Sequence, residues 1–383
     1  MLVGGGVRDA LRGESVTDWD VEVFGLPEDR LVGVLKTFGR VNAVGKSFGV
    51  YKLGGQHEID VSIPRRDSKK GPGHKGIHVE GDPDMSPTEA ARRRDLTINA
   101  IMVDPLTGEF IDPWDGRTDL DRGLLRAVDP TTFLEDPLRA LRVVQFAARF
   151  GFAVDDALIA LGREAALDEL PPERILGEWG KLLLKGRFIA SGMRFARDSG
   201  ILSRVFPELP DDLAADAALD RAVSVRDTLE PEGRRLGLML AVWLWEADAL
   251  ATTRTLDRLG VFRHKGFPTR EKLLAVHGHR DAPVGDDPSL RRLSTAAEPE
   301  TLLSAAIVRG RPVRDALDRA AAMGILHDPP PPLLQGRDLR GLPIPPGPEM
   351  GRLLKRVYDA QLEGTITEPG EALALARSWL PVG

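Results

Sequence analysis

Up to about residue 125 the chain alternates short apolar runs with turn residues. Examples are Val21-Glu22-Val23-Phe24, Gly49-Val50-Tyr51-Lys52-Leu53 and Ile59-Asp60-Val61-Ser62-Ile63. A period of two predicts strands with one face turned toward a core. Ahead of them, Leu2-Val3 reads as an apolar strand running into Gly4-Gly5-Gly6, with a helix after the glycines. From Phe133 the period becomes helical, with Leu138, Leu141, Val144 and Ala148 on one face, and Ala- and Leu-rich segments continue to about residue 325. The pattern predicts an α+β fold: an N-terminal mixed sheet with helices, then an all-α remainder. Proline stops helices and stiffens linkers, so Pro207 to Asp212 and the run from Pro329 to Pro332 mark breaks. Module boundaries are expected near 130, 210 and 330, dividing the chain into 1–130, 131–210, 211–330 and 331–383. No internal repeat of solenoid period is visible.

With 383 residues and 42% hydrophobic content, the chain can bury several modest cores without covalent staples. It has no cysteine, which excludes disulfides, thiolate metal sites and a cysteine nucleophile. Neither a secretory leader in Met1 to Gly6 nor an apolar run of about 18 residues is present, so a cytoplasmic location is expected and a membrane role is not. The start at Met1 leaves little ahead of the first strand, so either the start lies upstream or the strand is short. A net charge of −6 argues against a protein coated with nucleic acid. Local clusters qualify this: Arg65-Arg66-Asp67-Ser68-Lys69-Lys70 and Arg92-Arg93-Arg94 could meet phosphates or simply be solvated.

The chemistry lies in short blocks. Backbone N–H groups at a turn such as Gly4-Gly5-Gly6 can approach a phosphate, and Arg8 offers a charge-assisted fork. In Thr17-Asp18-Trp19-Asp20, two aspartates at i, i+2 share a strand face, with Cα atoms about 6.5 Å apart. Two hard carboxylates so placed can hold Mg²⁺ for in-line phosphoryl transfer. A lone Asp-x-Asp is more often a pair of solvated acids, so the weight falls on two further blocks. Arg93-Arg94-Asp95-Leu96-Thr97-Ile98-Asn99-Ala100 combines bidentate phosphate donors with a directional amide. Glu135-Asp136-Pro137-Leu138-Arg139-Ala140-Leu141-Arg142 opens a helix expected to carry Asp136, Arg139 and Arg142 at i, i+3, i+6 on neighbouring turns.

In this order the blocks resemble the nucleotidyltransferase superfamily that includes DNA polymerase β, and specifically the class II tRNA CCA-adding enzymes and bacterial poly(A) polymerases. The resemblance is strong from residue 2 to about 180. It implies a polymerase β-like catalytic head, a helical nucleotide-selecting neck, a helical body and an RNA-binding tail over the four modules above. It also implies that Asp18 and Asp20 bind the catalytic Mg²⁺ ions. Gly5, Arg8, Arg93, Arg94, Asp95 and Asn99 would contact sugar and phosphates. Asp136 and Arg139 would read the incoming base in place of a template, with Arg142 on the phosphates. An acid accepts from an exocyclic amine and an arginine donates to a ring nitrogen or carbonyl, which separates C and A from U and G.

A third carboxylate could be Glu58 or Asp60, which share a strand face. Asp112-Pro113-Trp114-Asp115-Gly116 with Asp119-Leu120 resembles a hinge and scaffold motif, and Pro172-Glu173-Arg174-Ile175 a supporting helix start. The glycine-rich Gly71-Pro72-Gly73-His74-Lys75-Gly76 sits where members able to add the final A carry a flexible loop. Near the C-terminus, Gly347-Pro348-Glu349 resembles a helix start in the family's tail. His327-Asp328, directly before four prolines, and His277-Gly278-His279-Arg280-Asp281 do not suggest the phosphohydrolase centre that some relatives carry, so none is expected.

The expected activity is template-independent addition of CCA to the tRNA 3′ end from CTP and ATP. The alternatives are a poly(A) polymerase, an enzyme adding only CC or only A, and a non-catalytic RNA-binding relative, which would have lost an Asp of the pair. The expected partners are the tRNA 3′ end and the two nucleotides. Oligomeric state is left open.

Overall fold

The computed structural model describes residues 1–39, 41–44, 49–53, 58–69, 77–340 and 342–380. The chain divides into two compact units, Met1–Glu208 and Leu209–Gly383.

The first unit is α+β. Its main sheet has the order β3-β4-β5-β2-β1-β8-β9, formed by β1 (Leu2–Val3), β2 (Asp18–Glu22), β3 (Val41–Val44), β4 (Val50–Leu53), β5 (Glu58–Ser62), β8 (Met102–Val103) and β9 (Phe110–Ile111). A separate ribbon joins β6 (Arg65–Lys69) to β7 (Ile77–Gly81), and β10 (Leu124–Leu125) pairs with β11 (Ala153–Val154). The sheet is mixed, with β2 and β5 parallel and the neighbouring pairs antiparallel. Strands appear where the alternation predicts them, with β2 beginning earlier, on Asp18 itself.

Helix α1 (Gly4–Leu11) starts at the glycines rather than after them. Helix α2 (Glu28–Phe38) turns Leu31 and Leu35 toward Tyr51, Val61 and Ile63 of the sheet region, forming one core. A second core gathers Val3, Met102, Ala90, Ala91, Ala100 and Val128. Burial of such side chains contributes about 1.5–3 kcal/mol for each large one. Helix α3 (Pro87–Arg92) opens with a capping box between Ser86 and Glu89, which fixes its start, and its C-cap is Arg93, directly before Arg94.

Helices α4 (Gly116–Arg122) and α5 (Pro130–Glu135) lead to α6 (Leu138–Phe150), the spine of the helical part. Its Ala140, Leu141, Val143, Val144, Ala147 and Ala148 are buried. After α7 (Asp156–Glu164) come α8 (Pro172–Lys185), α9 (Ile189–Asp198) and α10 (Ile201–Val205). Helices α8 and α9 pack on α6. A Cβ at Gly192 of α9 would lie 2.5 Å from the Val144 carbonyl oxygen, so the two backbones approach only because that position is glycine.

The second unit is helical: α11 (Leu213–Arg226), α12 (Glu232–Trp243), α13 (Ala249–Leu259), α14 (Thr269–Gly278), α15 (Asp287–Ala296), α16 (Pro299–Val308), α17 (Arg314–Ala322), α18 (Pro348–Glu363) and α19 (Pro369–Ser378). Leu339, Leu353, Val357, Ile366, Ala372 and Ala376 form a local core for its last helices. Among the described residues no helix is long and apolar enough to cross a membrane.

Candidate active site

Period-two geometry puts Asp18, Asp20 and Glu22 on one face of β2. They grade from surface to interior: Asp18 and Asp20 are exposed, Glu22 is fully buried. The parallel register sets Asp60 of β5 opposite Asp20 and Glu58 opposite Asp18. Asp60 also meets Lys52 Nζ at 3.1 Å. Gly4 adopts a φ of +73°, and a Cβ there would lie 3.1 Å from Asp20 Oδ2 and 3.4 Å from Arg94 Nη1. Both the backbone angle and the space require glycine where the chain turns beside the carboxylate.

Loss of water around Asp20 pushes its carboxyl above the ordinary value. Arg94 opposes the rise, while Asp60, Glu22 and Asp18 add to it by like-charge repulsion. Acids crowded in this way bind a hard divalent cation favourably, because the cation removes the repulsion. Among the described residues no three His, Asp or Glu side chains converge as a ready ligand set.

Beside Asp20 stands a cleft of about 500 Å³. Of the residues expected from sequence, Gly5, Arg8, Asp20, Arg93, Arg94, Asp95, Asn99, Asp136, Arg139 and Arg142 all line it, whereas Asp18 lies outside the lining. Arg93 and Arg94 both reach back to Glu22, with Arg94 Nη2 at 3.5 Å from Glu22 Oε1. Asp95 is buried and accepts from Leu96 N at 2.8 Å, Asn99 Nδ2 at 3.0 Å and Arg142 Nε at 2.6 Å. Burial pushes its pKa up, but Arg142, Asn99 and the Leu96 N–H outweigh this and hold it down to about 2. Asn99 Oδ1 in turn accepts from Arg8 Nη1 at 2.5 Å. Arg8 and Arg142 thus brace the groups in front of them. Arg8 is 3% exposed, and its Nε also donates to Asp9.

The expected helical face of Asp136, Arg139 and Arg142 needs correction. Pro137 follows Asp136, and a residue before proline is driven out of the helical region. Asp136 accordingly caps the end of α5 with φ −123° and ψ 103°, and α6 begins at Leu138. Asp136 Oδ1 accepts from Leu138 N at 3.1 Å and Oδ2 from Arg174 Nη2 at 3.0 Å. Arg139 donates to the Thr132 and Arg93 carbonyls at 2.5 and 2.7 Å. Asp136 and Arg139 still come together in the cleft, but from a helix break rather than from successive turns.

Arg65, from the basic cluster marked in the sequence, also lines the cleft, as do Gln145, Phe146, Arg149, Lys181 and Lys185, which the sequence motifs do not mark. A signal exists for some of them: positions 139, 142, 146 and 149 lie on one face of α6, as do 174, 178, 181 and 185 on α8. Phe146 belongs to a ladder of guanidinium and aromatic groups. Arg142 and Arg8 each lie 5.2 Å from its ring centre, Arg8 lies 4.9 Å from Phe150, and Arg12 lies 4.4 Å from Phe150 and 5.2 Å from Phe152. The stack ties α1 to α6.

Other sequence features lie elsewhere. His57 and Gly71 to Gly76 fall outside the described residues. His277 Nε2 lies 3.1 Å from Thr252 Oγ1 and 2.7 Å from the Ala247 carbonyl oxygen, and His327 pairs with Glu300 at 2.8 Å.

Residues 1–126 match the poly A polymerase head domain, and residues 154–213 match the probable RNA and SrmB-binding site of polymerase A. The multifunctional CCA protein of Nitrosococcus oceani is 40% identical over 213 residues, 54% of this chain and 50% of that protein. The protein of the same name from Alkalilimnicola ehrlichii is 41% identical over 216 residues, again 54% of this chain and 50% of the relative. Among solved structures, the Bacillus stearothermophilus CCA-adding enzyme in complex with CTP has a TM-score of 0.71 at 24% identity, covering 98% of this chain and 92% of that one. The Thermotoga maritima CCA-adding enzyme complexed with tRNA_CCA gives 0.69 at 21%, covering 99% and 91%. These two likenesses show the fold. The chain spans about half the length of the curated relatives it matches.

Proposed function

We propose that this chain, which belongs to the class II CCA-adding enzyme and poly(A) polymerase family, is a CCA tRNA nucleotidyltransferase that adds C, C and A to the tRNA 3′ end from CTP and ATP. The observation that carries the reading is the convergence of ten residues, up to 137 positions apart (Gly5 to Arg142), on one cleft with Asp20 among its lining residues. Supporting it, the region that matches the poly A polymerase head domain, residues 1–126, supplies the cleft residues from Gly4 to Asn99, and the relatives at about 40% identity are named for CCA addition.

In the proposed reaction the RNA 3′ hydroxyl gives up its proton to solvent as its oxygen bonds to the α-phosphorus of the nucleotide, the bond from that phosphorus to the α–β bridging oxygen breaks and pyrophosphate leaves. Asp18 and Asp20 would hold Mg²⁺, which supplies charge stabilisation at the attacking and leaving oxygens. The acids that the register of β2 and β5 sets beside Asp20 are the feature that fits such an ion, because a cation would remove their mutual repulsion. Arg93 and Arg94 face the phosphates and sugar, and Asp95 holds Asn99 so that its amide points in one direction. Asp136 accepts from the exocyclic amine of C or A while Arg139 donates to the ring. Both keep capacity for this: a carboxylate has about four acceptor sites and a guanidinium five N–H donors. Arg8 and Arg142 line the cleft on the phosphate side and also brace Asn99 and Asp95.

On this reading 1–130 is the catalytic head, 131–210 the neck, 211–330 the body and 331–383 the RNA-binding tail, working in the cytoplasm. The test incubates the protein and Mg²⁺ with tRNA ending at the discriminator base, in C or in CC, and with an unrelated RNA, supplying CTP, ATP or both. Three additions requiring both nucleotides, on tRNA alone, are expected. Long A tails on any RNA would replace the proposal with poly(A) synthesis, and A added only after CC would replace it with a partial activity. Asp18→Ala should keep native circular dichroism and lose turnover, and substantial activity in that variant would sink the metal assignment.

A further inference from the structure

Glu22 is the fully buried acid on the β2 face that carries Asp18 and Asp20, and two of the cleft's arginines, Arg93 and Arg94, reach back to it. Its Oε2 and Arg94 Nε have no hydrogen-bond partner among the described residues. Arg94 therefore has an unsatisfied donor and two candidate carboxylates. It pairs with Glu22 at 3.5 Å, while its Nη1 and Asp20 Oδ2 face each other across the space a Cβ at Gly4 would fill. Rotation of one side chain would close that gap, and Arg94 would then occupy the carboxylate with a charge-assisted fork.

We propose that Glu22 is a positioning residue that retains Arg94 and so keeps the Asp20 carboxylate free for the divalent cation. The proposal rests on the reading of Asp18 and Asp20 as the metal-binding pair. It gives a physical reason for an acid that cannot touch a nucleotide yet lies two positions from the pair. Removing its charge takes from Arg94 the carboxylate it pairs with at 3.5 Å, with Asp20 the nearest remaining acid on the same strand face.

The test is Mn²⁺ binding to the full chain without nucleotide, measured by isothermal titration calorimetry. The proteins compared are wild type, Asp20→Asn, Glu22→Gln and Glu22→Met, and each Glu22 variant combined with Arg94→Gln. Methionine leaves no unpaired polar atom at position 22 itself, and combining it with Arg94→Gln also removes a guanidinium that has lost its counter-charge. Circular dichroism and a cooperative melt confirm each protein. Both Glu22 variants should weaken Mn²⁺ binding about tenfold, the scale of one charge-assisted hydrogen bond competing for Asp20. Adding Arg94→Gln should restore affinity to within about threefold of wild type, because the competitor is gone.

A Glu22 variant that binds Mn²⁺ like wild type overturns the proposal. So does weakened binding that Arg94→Gln does not restore, since Glu22 would then act by its own charge. Failure of both Glu22 variants to fold overturns it too, by assigning the residue to the fold. An absence of Mn²⁺ binding in wild type, or undiminished binding in Asp20→Asn, overturns the metal reading itself.

Discussion

Replacing Asp95 with asparagine keeps the shape of the side chain and removes its charge, and the structure dictates what that does. Three donors converge on the carboxylate: Leu96 N and Asn99 Nδ2 on Oδ1, Arg142 Nε on Oδ2. An asparagine amide offers one oxygen. If it serves Leu96 and Asn99, the NH₂ group faces Arg142 Nε donor to donor, and a guanidinium that is one-third exposed loses its counter-charge. Breaking one partner of a buried pair in this way costs about 3 kcal/mol. For a unit of this size that corresponds to roughly 6–12 °C in melting temperature.

The same residue predicts a pH signature. Its folded pKa, about 2, lies below the ordinary value of 3.8. A depressed carboxyl contributes stability that is present above the unfolded value and lost as pH falls through the folded one. The contribution is roughly 2 kcal/mol at neutral pH and fades between about pH 4 and pH 2. Urea unfolding of wild type and Asp95→Asn from about pH 7 to about pH 2.5 should show a gap that is constant to about pH 4.5 and shrinks below it. A gap under about 0.5 kcal/mol at neutral pH, or one that stays constant to the acid end of the series, would refute the assignment of Asp95 as a charged anchor.

Two other positions give independent tests. Gly4→Ala forces a Cβ into the left-handed region and against Asp20, so it should destabilise by about 1–2 kcal/mol and reduce nucleotide turnover more than it reduces melting temperature; thermal melts and steady-state rates check this. Arg174→Met releases the Asp136 carboxylate at its far oxygen, so incorporation of U or G should rise about tenfold relative to C and A, read by competition among the four nucleotides, with the fold unchanged.

Much of the fold and of the cleft is legible in the sequence for identifiable reasons. Period two locates β4 and β5 within a residue or two, and the switch of period at Phe133 locates the helical spine. The blocks around Asp20, Arg93 to Asn99 and Arg139 can be read because their polar residues recur at fixed spacing and in a fixed order, and in Asp95 and Asn99 they fall where burial makes polarity costly. Asp136 is misplaced by side-chain spacing alone, because the backbone restriction that Pro137 imposes outweighs it. Glu22 reads as an outward residue of a half-buried strand, since nothing in Val21-Glu22-Val23 tells which face the rest of the chain will cover. Lys181, Lys185 and Phe146 are hidden for a related reason. Their role comes from α6 and α8 lying against one cleft, a tertiary fact that helical period permits without requiring.

The guanidinium and aromatic stack running from Arg142 through Phe146, Arg8 and Phe150 to Arg12 and Phe152 joins the helix that begins at Gly4 to the helix that begins at Leu138. One end of this riveted pair grips the phosphate side of a nucleotide on the proposed reading, and the other grips its base. The two ends then work as a fixed-jaw caliper whose opening is set by the protein and not by the growing strand. A larger purine and a smaller pyrimidine must then fit one gauge, and on that reading it falls to the Asp136 and Arg139 side chains, which meet the base, to adjust to each.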